Sequence, residues 1–513
     1  MSAAPLFGPL CIRADAGPSM GIGHLMRCLA LAQAWQDRGG AVTFVTATGE
    51  PALLSRLIRE GFAVHELKAL PGTDADAGET LAAAAKAAAG MAGSGWLVVD
   101  GYQFPTNYLR ALKAGNYGLL AVDDLATIDL QAADLVLNQN KQATAGMYAG
   151  RVASSHLLLG SSFALLRREF LLARETVPEA MASPPRNGDA RDVVITLGGG
   201  DPANVTGRVL ELLAGFRDRR LRLTVIVGPA NAHLVALRDS AAQLQPAHDV
   251  ALLMDPPDLP ALLARADVAI SAAGSSCWEL ACLGVPMLLI VTADNQRPSA
   301  AALAADDLAI VLGWHAGLLA TDLLPRLRTL LMDPSARHRL SRAAGQLIDG
   351  RGAGRVAERI ATFPVRLRTA TAADAALLHD WANDPLTRRM SFSTEPIPWD
   401  THQPWLTGRL ANPDCRLYIG EDDGGEALGQ VRLDRAAATA TLSIGVAPKV
   451  RGRGYAARLV RLAAVECLQS GWCRIVEARV RPENAASLAT FRRAGFTARG
   501  PAGGSGSVLF SLV

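Results

Sequence analysis

The sequence has few aromatic residues and almost no excess of charge of either sign. Aromatic side chains make up 5% of its 513 residues, and 51 lysines and arginines are balanced by 48 aspartates and glutamates. The charges are interspersed, without the blocks of one sign that follow a phosphate backbone or an anionic membrane. We therefore expect neither nucleic acid nor a membrane as a partner.

Cysteine is also scarce, and the N-terminus lacks a leader pattern. The seven cysteines are scattered and have no CxxC spacing, which argues against a zinc site or a disulfide framework and indicates a reducing compartment. No basic stretch precedes a long apolar run, and runs such as 285–291 are far shorter than a membrane span. We expect a cytoplasmic protein without a metal.

The sequence is rich in apolar residues and glycine. Hydrophobic residues make up 50% of the chain, which contains 48 glycines, as is typical of α/β domains with many turns. Its length favours about three domains. Apolar strands alternate with helical segments, which predicts βαβ units and a parallel sheet. These first strands are expected at 40–46, 96–100, 118–123 and 135–138.

A second strand series follows a proline-rich segment at 175–192. It begins at 193–197, continues at 223–228, 250–253, 268–271 and 286–291, and is expected to give way to helices up to about residue 360. From residue 366 the strands at 416–419, 429–433 and 442–446 are mostly consecutive, which indicates an antiparallel α+β domain. We predict a Rossmann-like domain at 1–178, a second at 189–362 and an α+β domain at 366–513.

Three glycine-containing turns follow strands of the two Rossmann-like domains. They contain Gly21-x-Gly23-His24, the glycine run 198–200, and Gly274-Ser275-Ser276. Glycine lets a backbone approach a ligand closely, and a helix N-terminus favours an anion such as a diphosphate. Glu279, one turn into the following helix, is placed to bind two ribose hydroxyls. A tight structural turn and a solvated glutamate are the alternative interpretation.

These motifs occur together with Arg13-x-Asp15, Asp123-Asp124 and Asn295-Gln296. Over about 9–360 the chain resembles the UDP-2,4-diacetamido-2,4,6-trideoxy-β-L-altropyranose hydrolase of pseudaminic acid biosynthesis, a GT-B family with two Rossmann-like domains and an active site between them. The resemblance implies that His24 is the catalytic histidine, which promotes attack of water at the anomeric carbon with loss of UDP. The UDP-sugar-binding residues it implies are Arg13, Asp15, Gly23, Gly199, Gly200, Leu259, Gly274, Ser275, Ser276, Glu279, Asn295 and Gln296.

Two departures qualify this resemblance. Gly200 stands where the family pattern has serine, so a hydroxyl contact to phosphate is missing there. For Asp15 and for the pair Asp123-Asp124, a structural role at the end of the sheet is as well supported as substrate binding.

The last domain contains a second kind of motif, Arg451-x-x-Gly454-x-Ala456, between a strand and a helix. Successive backbone amides leading into a helix can wrap a pyrophosphate. At the end of the preceding strand, the N–H of Val446 can bind a thioester carbonyl as charge develops on its oxygen. Asn484, Ser487 and Gly495-Phe496 follow at the spacing of GNAT enzymes.

From about residue 366 to its end, the chain resembles a GNAT N-acetyltransferase, and more loosely the one that acetylates the 4-amino group of UDP-4-amino-4,6-dideoxy-N-acetyl-β-L-altrosamine. The resemblance implies acetyl-CoA as cosubstrate. Phe491 stands where many GNAT enzymes have a tyrosine acid, and because a phenyl ring cannot donate a proton, catalysis would rely on positioning, on another acid or on water. His402 and Glu477 are candidate bases, with structural roles equally open. The implied acetyl-CoA-binding residues are Val446, Arg451, Gly452, Arg453, Gly454, Tyr455, Ala456 and Asn484.

Two alternatives to a bifunctional sugar hydrolase and acetyltransferase stay open. One is a UDP-sugar glycosyltransferase fused to an acetyltransferase for another amine, because GT-B architecture is shared with glycosyltransferases. The other is a nucleotide-sugar sensor with a degenerate GNAT module, which Phe491 favours and His24 disfavours.

Overall fold

The computed structural model divides the chain into two compact units: the larger contains residues 9–90 and 94–357, and the smaller contains mainly residues 358–513. It describes residues 7–17, 21–47, 50–89, 95–115, 117–152, 157–176, 190–228, 231–422, 424–451, 454–502 and 507–512. Within these residues, no helix is both long and apolar enough to cross a membrane.

The first half of the larger unit is a parallel sheet of seven strands in the order β3-β2-β1-β4-β5-β6-β7. Strands β1 and β4 are buried along their whole length, and they are apolar except for Arg13 in β1 and Asp100 at the end of β4. Its elements are β1 (Leu10–Ala14), α1 (Gly23–Gln36), β2 (Val42–Thr46), α2 (Pro51–Arg59), β3 (Ala63–Glu66), α3 (Asp74–Ala88), β4 (Trp96–Asp100), α4 (Thr106–Lys113), β5 (Gly118–Val122), β6 (Leu135–Asn138), β7 (Leu157–Leu159) and α5 (Arg168–Thr176).

The second half is a parallel sheet of six strands in the order β10-β9-β8-β11-β12-β13. Helix α6 begins where the Asn204 side chain accepts a hydrogen bond from the Gly207 N–H. The elements are β8 (Asp192–Thr196), α6 (Val205–Leu213), β9 (Arg222–Val227), α7 (Leu234–Leu244), β10 (Asp249–Met254), α8 (Leu259–Ala264), β11 (Val268–Ala272), α9 (Ser276–Cys282), β12 (Met287–Val291), α10 (Arg297–Ala305), β13 (Ile310–Trp314), α11 (Ala320–Met332), α12 (Pro334–Leu347) and α13 (Gly352–Thr362).

The smaller unit contains a mixed sheet of seven strands in the order β14-β15-β16-β17-β18-β20-β19. All neighbouring pairs are antiparallel except β17 and β18, which are parallel. Its elements are β14 (Arg366–Thr369), α14 (Ala375–Asn383), α15 (Pro385–Met390), α16 (Trp399–Ala411), β15 (Cys415–Glu421), β16 (Ala427–Ala436), β17 (Thr439–Val446), α17 (Tyr455–Gln469), β18 (Ile475–Val480), α18 (Ala485–Arg493), β19 (Thr497–Ala502) and β20 (Ser507–Leu512).

The predicted fold class is confirmed: two parallel Rossmann-like sheets are followed by an α+β domain. The expectation of helices alone between residue 291 and about residue 360 was wrong, because β13 extends the second sheet at its edge. This strand is the apolar run Ile310-Val-Leu-Gly-Trp314, and a short apolar run cannot be distinguished from a buried part of a helix by its pattern alone. The predicted linker at 175–192 falls largely on residues 177–189, outside the described part of the chain. The predicted domain limits stay a prediction.

Candidate active sites

His24 and Asp100 meet where the strand order of the first sheet reverses. The neighbours β1 and β4 lead to helices on opposite sides of this point, and open α/β sheets bind ligands in the crevice formed there. His24 is the second residue of α1, the helix that follows β1, and Asp100 is the last residue of β4. The chain thus brings together two polar side chains that are 76 residues apart in sequence.

The Asp100 carboxylate fixes the orientation of the His24 ring. Its Oδ1 lies 2.7 Å from His24 Nδ1, and since a carboxylate only accepts hydrogen bonds, Nδ1 carries the proton. His24 Nε2 has no hydrogen-bond partner among the described residues and is left as an acceptor in a side chain that lines the cleft. Burial alone would raise the pKa of Asp100, but Arg27 and His24 hold this pKa well below its ordinary value.

Arg27 joins this pair to a second carboxylate. Its Nε and Nη2 each lie 2.6 Å from an Asp100 oxygen, and its Nη1 lies 3.0 Å from Asp124 Oδ2. The Tyr102 hydroxyl donates to the same Asp124 oxygen at 2.8 Å, and its ring meets the His24 ring edge-on at 4.8 Å. His24 is therefore held by a hydrogen-bonded network rather than by a single contact.

The second sheet supplies the opposite wall of the cleft at its own reversal point, between β8 and β11. The loop after β8 contains Gly199, and the loop after β11 contains Gly274 and Ser275. A Cβ built on Gly23 would lie 3.5 Å from the Ser275 Oγ, so the turn before His24 directly adjoins the glycine–serine loop. Across the cleft, Asn295 Nδ2 also donates to the Tyr102 hydroxyl at 3.0 Å.

The Gly199 loop is closely packed. A Cβ on the neighbouring Gly228 would lie 2.2 Å from the Gly199 carbonyl oxygen, so only glycine fits at position 228. The resulting cleft has a volume of about 360 Å³, within the range of small-ligand sites.

Glu279 lies in α9 with its carboxylate paired to Arg167. Arg167 Nη2 is 2.9 Å from Glu279 Oε1, and Arg167 Nη1 is 3.1 Å from Glu169 Oε1. Burial raises the pKa of Glu279, while the charge of Arg167 opposes that rise. Arg167 thus favours an ionised Glu279 that can accept hydrogen bonds from ligand hydroxyls.

Most, but not all, of the residues predicted for the UDP-sugar lie together. Arg13, Asp15 and Gly200 are outside the lining of the cleft. The Arg13 side chain is fully buried and donates to Asp76 Oδ2 at 2.9 Å and to Asp15, as expected of a structural ion pair. The predicted residues that line the cleft are Gly23, His24, Gly199, Leu259, Gly274, Ser275, Ser276, Glu279, Asn295 and Gln296.

Asp100 was not predicted as a site residue, and neither were Arg27, Tyr102 and Arg167. A signal for Asp100 was present: an acidic residue ends a wholly apolar strand, at the same sheet edge as His24. Tyr102 follows it by two residues and carries no pattern that marks a ligand-binding side chain.

In the smaller unit, β17 and β18 form a cleft because they stop pairing. They pair in parallel only at Thr439–Ile475, Ala440–Val476 and Thr441–Glu477. Beyond these positions β17 continues to Val446 on its pairing with β16, and β18 continues to Val480 on its pairing with β20. The edge of β17 that faces β18 therefore offers free backbone groups near Val446.

The loop that follows β17 ends in a left-handed glycine. Gly454 has φ +83 and forms the N-cap of α17, and Tyr455 and Ala456 begin the helix. A non-glycine residue would be strained in this conformation. Gly452 and Arg453 lie outside the described residues. The predicted pyrophosphate-binding role of the loop stays a prediction.

Three further residues singled out in this unit, Arg451, Asn484 and Phe491, contact other parts of the protein. Arg451 Nη2 lies 2.7 Å from Asp384 Oδ1, and Asn484 caps α18 by accepting from the Ser487 N–H at 3.0 Å. Phe491 is buried against Phe496 and Phe510.

Of the two candidate bases, His402 is 2% exposed, its Nε2 lies 3.0 Å from the Ala375 carbonyl oxygen, and burial lowers its pKa. Its position is that of a core residue. Glu477 lies on β18 at the last position that pairs with β17.

The two parallel sheets with a shared cleft, followed by a mixed sheet with a diverging strand pair, define an enzyme that joins a GT-B-like unit to an acetyltransferase domain. Residues 193–353 match the family model described as glycosyltransferase family 28 C-terminal domain. Residues 365–497 match the model described as acetyltransferase (GNAT) domain. The two matches place a segment similar to the family 28 C-terminal domain before a segment similar to a GNAT domain.

Individual relatives are distant. The spore coat polysaccharide biosynthesis protein SpsG of Bacillus subtilis (strain 168) is 24% identical over 356 residues, which cover 67% of this chain and 95% of that protein. The uncharacterized protein MJ1062 of Methanocaldococcus jannaschii is 21% identical over 447 residues, 83% of each chain. Among solved structures, MurG of Acinetobacter baumannii shares 16% identity and a TM-score of 0.49, covering 69% of this chain and 99% of that one.

Proposed function

We propose that the chain is a bifunctional enzyme of sugar biosynthesis. Its GNAT domain uses acetyl-CoA to acetylate the amine of a UDP-4-amino-4,6-dideoxy sugar, and its larger unit hydrolyses the resulting UDP-2,4-diacetamido-2,4,6-trideoxy-β-L-altropyranose to UDP and free sugar. The observation that carries the hydrolase assignment is the free Nε2 of His24 in a cleft whose opposite wall is a glycine–serine loop. The polysaccharide biosynthesis protein SpsG supports a role in sugar metabolism.

Different residues of the cleft can bind the nucleotide and promote the hydrolysis. Backbone amides around Gly274 and Gly199 bind the diphosphate, and Glu279 accepts hydrogen bonds from the ribose. His24 Nε2 takes a proton from water as the water oxygen attacks the anomeric carbon and the bond from that carbon to the diphosphate oxygen breaks. Asp100 stabilises the imidazolium that forms, because its carboxylate already accepts the Nδ1 proton.

Acetyl transfer can be promoted mainly by a backbone group and by the positioning of the two substrates. With acetyl-CoA in the gap between β17 and β18, the Val446 N–H can donate to the thioester oxygen while the sugar amine attacks the carbonyl carbon. Phe491 cannot protonate the departing thiolate, so positioning of the two substrates supplies most of the rate enhancement. Acetylation comes first in the sequence of steps, because hydrolysis removes the nucleotide by which the amino sugar is recognised.

Incubation of the full chain with the UDP-4-amino sugar and acetyl-CoA tests this function. Free CoA and UDP are followed separately, and we expect CoA to appear before UDP. Omission of acetyl-CoA should suppress both products. A glycosyltransferase, which the family 28 domain also supports, would instead release UDP only when an acceptor is added. Release of UDP without any acceptor therefore separates the two functions.

Asp100→Asn should lower kcat for UDP release about 10- to 100-fold and change its pH profile. An amide at this position no longer holds the proton on His24 Nδ1, so Nε2 loses its role as acceptor, as in other sites where a buried partner fixes a histidine tautomer. The KM for the UDP-sugar should change little, since Asp100 does not face the cleft. Steady-state UDP release from pH 5 to 9 measures both quantities.

Asp76→Asn is the matched control, because Asp76 is also fully buried and paired with an arginine but lies outside the cleft. Both variants should lose stability to a similar extent. Equal losses of kcat in the two variants would show that Asp100 has only a structural role.

Glu279→Ala should raise the KM for the UDP-sugar about tenfold and weaken inhibition by UDP, with kcat nearly unchanged. A ribose contact is made equally in the ground and transition states, so its loss affects binding alone. Initial rates with and without added UDP give the values. Glu211→Ala, an exposed glutamate of α6, is the control. Unaltered UDP inhibition would remove Glu279 from the nucleotide site.

A further inference from the structure

The side chain of Arg451 contacts the start of α15. Arg451 belongs to the loop between β17 and α17, which is predicted to hold acetyl-CoA and is called the cofactor loop. Its Nη2 lies 2.7 Å from Asp384 Oδ1 and 2.9 Å from Thr387 Oγ1. Asp384 is also the N-cap of α15, where its Oδ1 accepts the Thr387 N–H at 3.0 Å. The hydrogen bond from Arg451 lowers the pKa of Asp384. The first turn of α15 is thus tied to the loop that follows β17.

The other end of α15 is tied to the loop that follows β18. Arg481, directly after the last residue of β18, donates through Nη1 to the Ser391 carbonyl oxygen at 3.0 Å and to the Arg389 carbonyl oxygen at 3.3 Å. The two arginines come from opposite sides of the cleft that opens where β17 and β18 diverge. The segment 384–392 therefore bridges the carboxyl ends of the two strands.

The segment 384–392 lies beside the place where β17 and β18 diverge, because its arginine partners follow these strands. The thioester carbonyl is expected near Val446, so we expect an amine that reaches it to lie close to this segment. Phe392, at the end of the segment, is 66% exposed and available for contact. The guanidinium of Arg451 thus joins the cofactor loop to the segment that is expected to meet the acceptor.

We propose that Arg451 is a positioning residue for the acceptor: it holds the segment 384–392 against the cofactor loop, so that binding of acetyl-CoA orders the acceptor site. This inference rests on the proposed acetyl transfer. Its physical basis is reciprocal coupling between two binding sites. If the contact between Arg451 and Asp384 is stronger when acetyl-CoA is bound, acetyl-CoA and the acceptor each raise the affinity for the other by the same factor. Coupling between two sites commonly amounts to about 5- to 150-fold in affinity.

Asp384→Asn in the full chain tests the proposal, because it weakens the contact without touching the cofactor loop. We expect the KM for the UDP-4-amino sugar in CoA release to rise about tenfold, while the Kd for acetyl-CoA alone, measured by calorimetry without the amino sugar, stays within about twofold. The gain in acetyl-CoA affinity that the amino sugar causes should fall by the same factor as the affinity for the amino sugar. Arg451→Met should raise the same KM, and the double variant should be no worse than the more impaired single variant. If Asp384→Asn only damaged the fold of the smaller unit, kcat for CoA release and the affinity for acetyl-CoA would decrease together.

Asp374→Asn is the matched control. Asp374 also accepts hydrogen bonds from an arginine and from the backbone at the start of a helix, but its partner Arg368 lies on the edge strand β14. Its acceptor KM should equal that of the unmodified chain. A tenfold rise in the acetyl-CoA Kd of Asp384→Asn with an unchanged acceptor KM would overturn the proposal.

Amide hydrogen exchange of residues 385–391 provides a readout that does not depend on the identity of the acceptor. Acetyl-CoA should slow this exchange in the unmodified chain and not in Asp384→Asn. If the chain binds acetyl-CoA but does not acetylate the amino sugar, the proposed substrate is wrong, and exchange still decides the role of Arg451. Equal exchange with and without acetyl-CoA in the unmodified chain would overturn that role.

Discussion

Replacement of His24 by alanine or asparagine is expected to abolish UDP release and to leave acetyl transfer at its original rate. Loss of a general base costs about 10²- to 10⁴-fold in rate. The buried network around Asp100 and Arg27 stays paired without the imidazole, because Arg27 contacts both Asp100 and Asp124. Separate assays of UDP and CoA release on the same preparation measure the effect.

His65→Ala is the control for this result, since His65 is an exposed histidine of β3 outside the cleft. It should retain both activities. If UDP release persisted in His24→Ala at the original rate, another group would have to activate the water, and the catalytic assignment would be wrong. A parallel decrease of both activities would indicate misfolding instead.

Gly454→Glu should eliminate acetyl-CoA binding, which corresponds to a loss of at least about 100-fold in affinity. The substitution forces a side chain into a left-handed conformation, at a cost of about 1 kcal/mol, and places a carboxylate among amides that are expected to face a pyrophosphate. A negative charge at the start of α17 favours the helix itself, so the fold should persist. Calorimetry with acetyl-CoA gives the affinity, and UDP release reports on the larger unit.

Gly471→Glu provides a control with the same charge and the same kind of backbone strain. Gly471 has φ +67, has open space around its Cβ position, and lies just beyond the other end of α17. Its acetyl-CoA affinity should remain unchanged. Retained binding in a folded Gly454→Glu protein would refute the cofactor-loop assignment and favour the sensor interpretation.

The part of the larger unit's cleft around His24 could be predicted only where a local pattern marked it. His24 stands in a glycine turn after a strand, and that spacing is visible in the sequence. Asp100 depends on the order in which β1 and β4 lie side by side, a contact between residues 76 positions apart. A single sequence gives strand positions better than it gives strand order, so the partner of His24 emerged only from the fold.

The same distinction explains Arg451 and β13. The motif around Arg451 predicts a cofactor loop, but the sequence gives no indication that its side chain reaches Asp384, which lies on an earlier helix cap. Strand β13 is a short apolar run, Ile310-Val-Leu-Gly-Trp314, and the pattern of such a run does not distinguish an edge strand from a buried part of a helix. Buried central strands such as β4 were predicted within one or two residues.

The charges around His24 bear on how the reaction ends. Arg27 is balanced by two carboxylates, Asp100 and Asp124, so this wall of the cleft carries a net negative charge. A sugar with neutral acetamido groups can lie against such a wall. In the proposed hydrolysis His24 gains a proton as the bond to the anomeric carbon breaks, so the imidazolium and Arg27 then balance the two carboxylates. Loss of that proton to solvent restores the negative charge beside the UDP, and the resulting repulsion should favour departure of UDP and speed turnover.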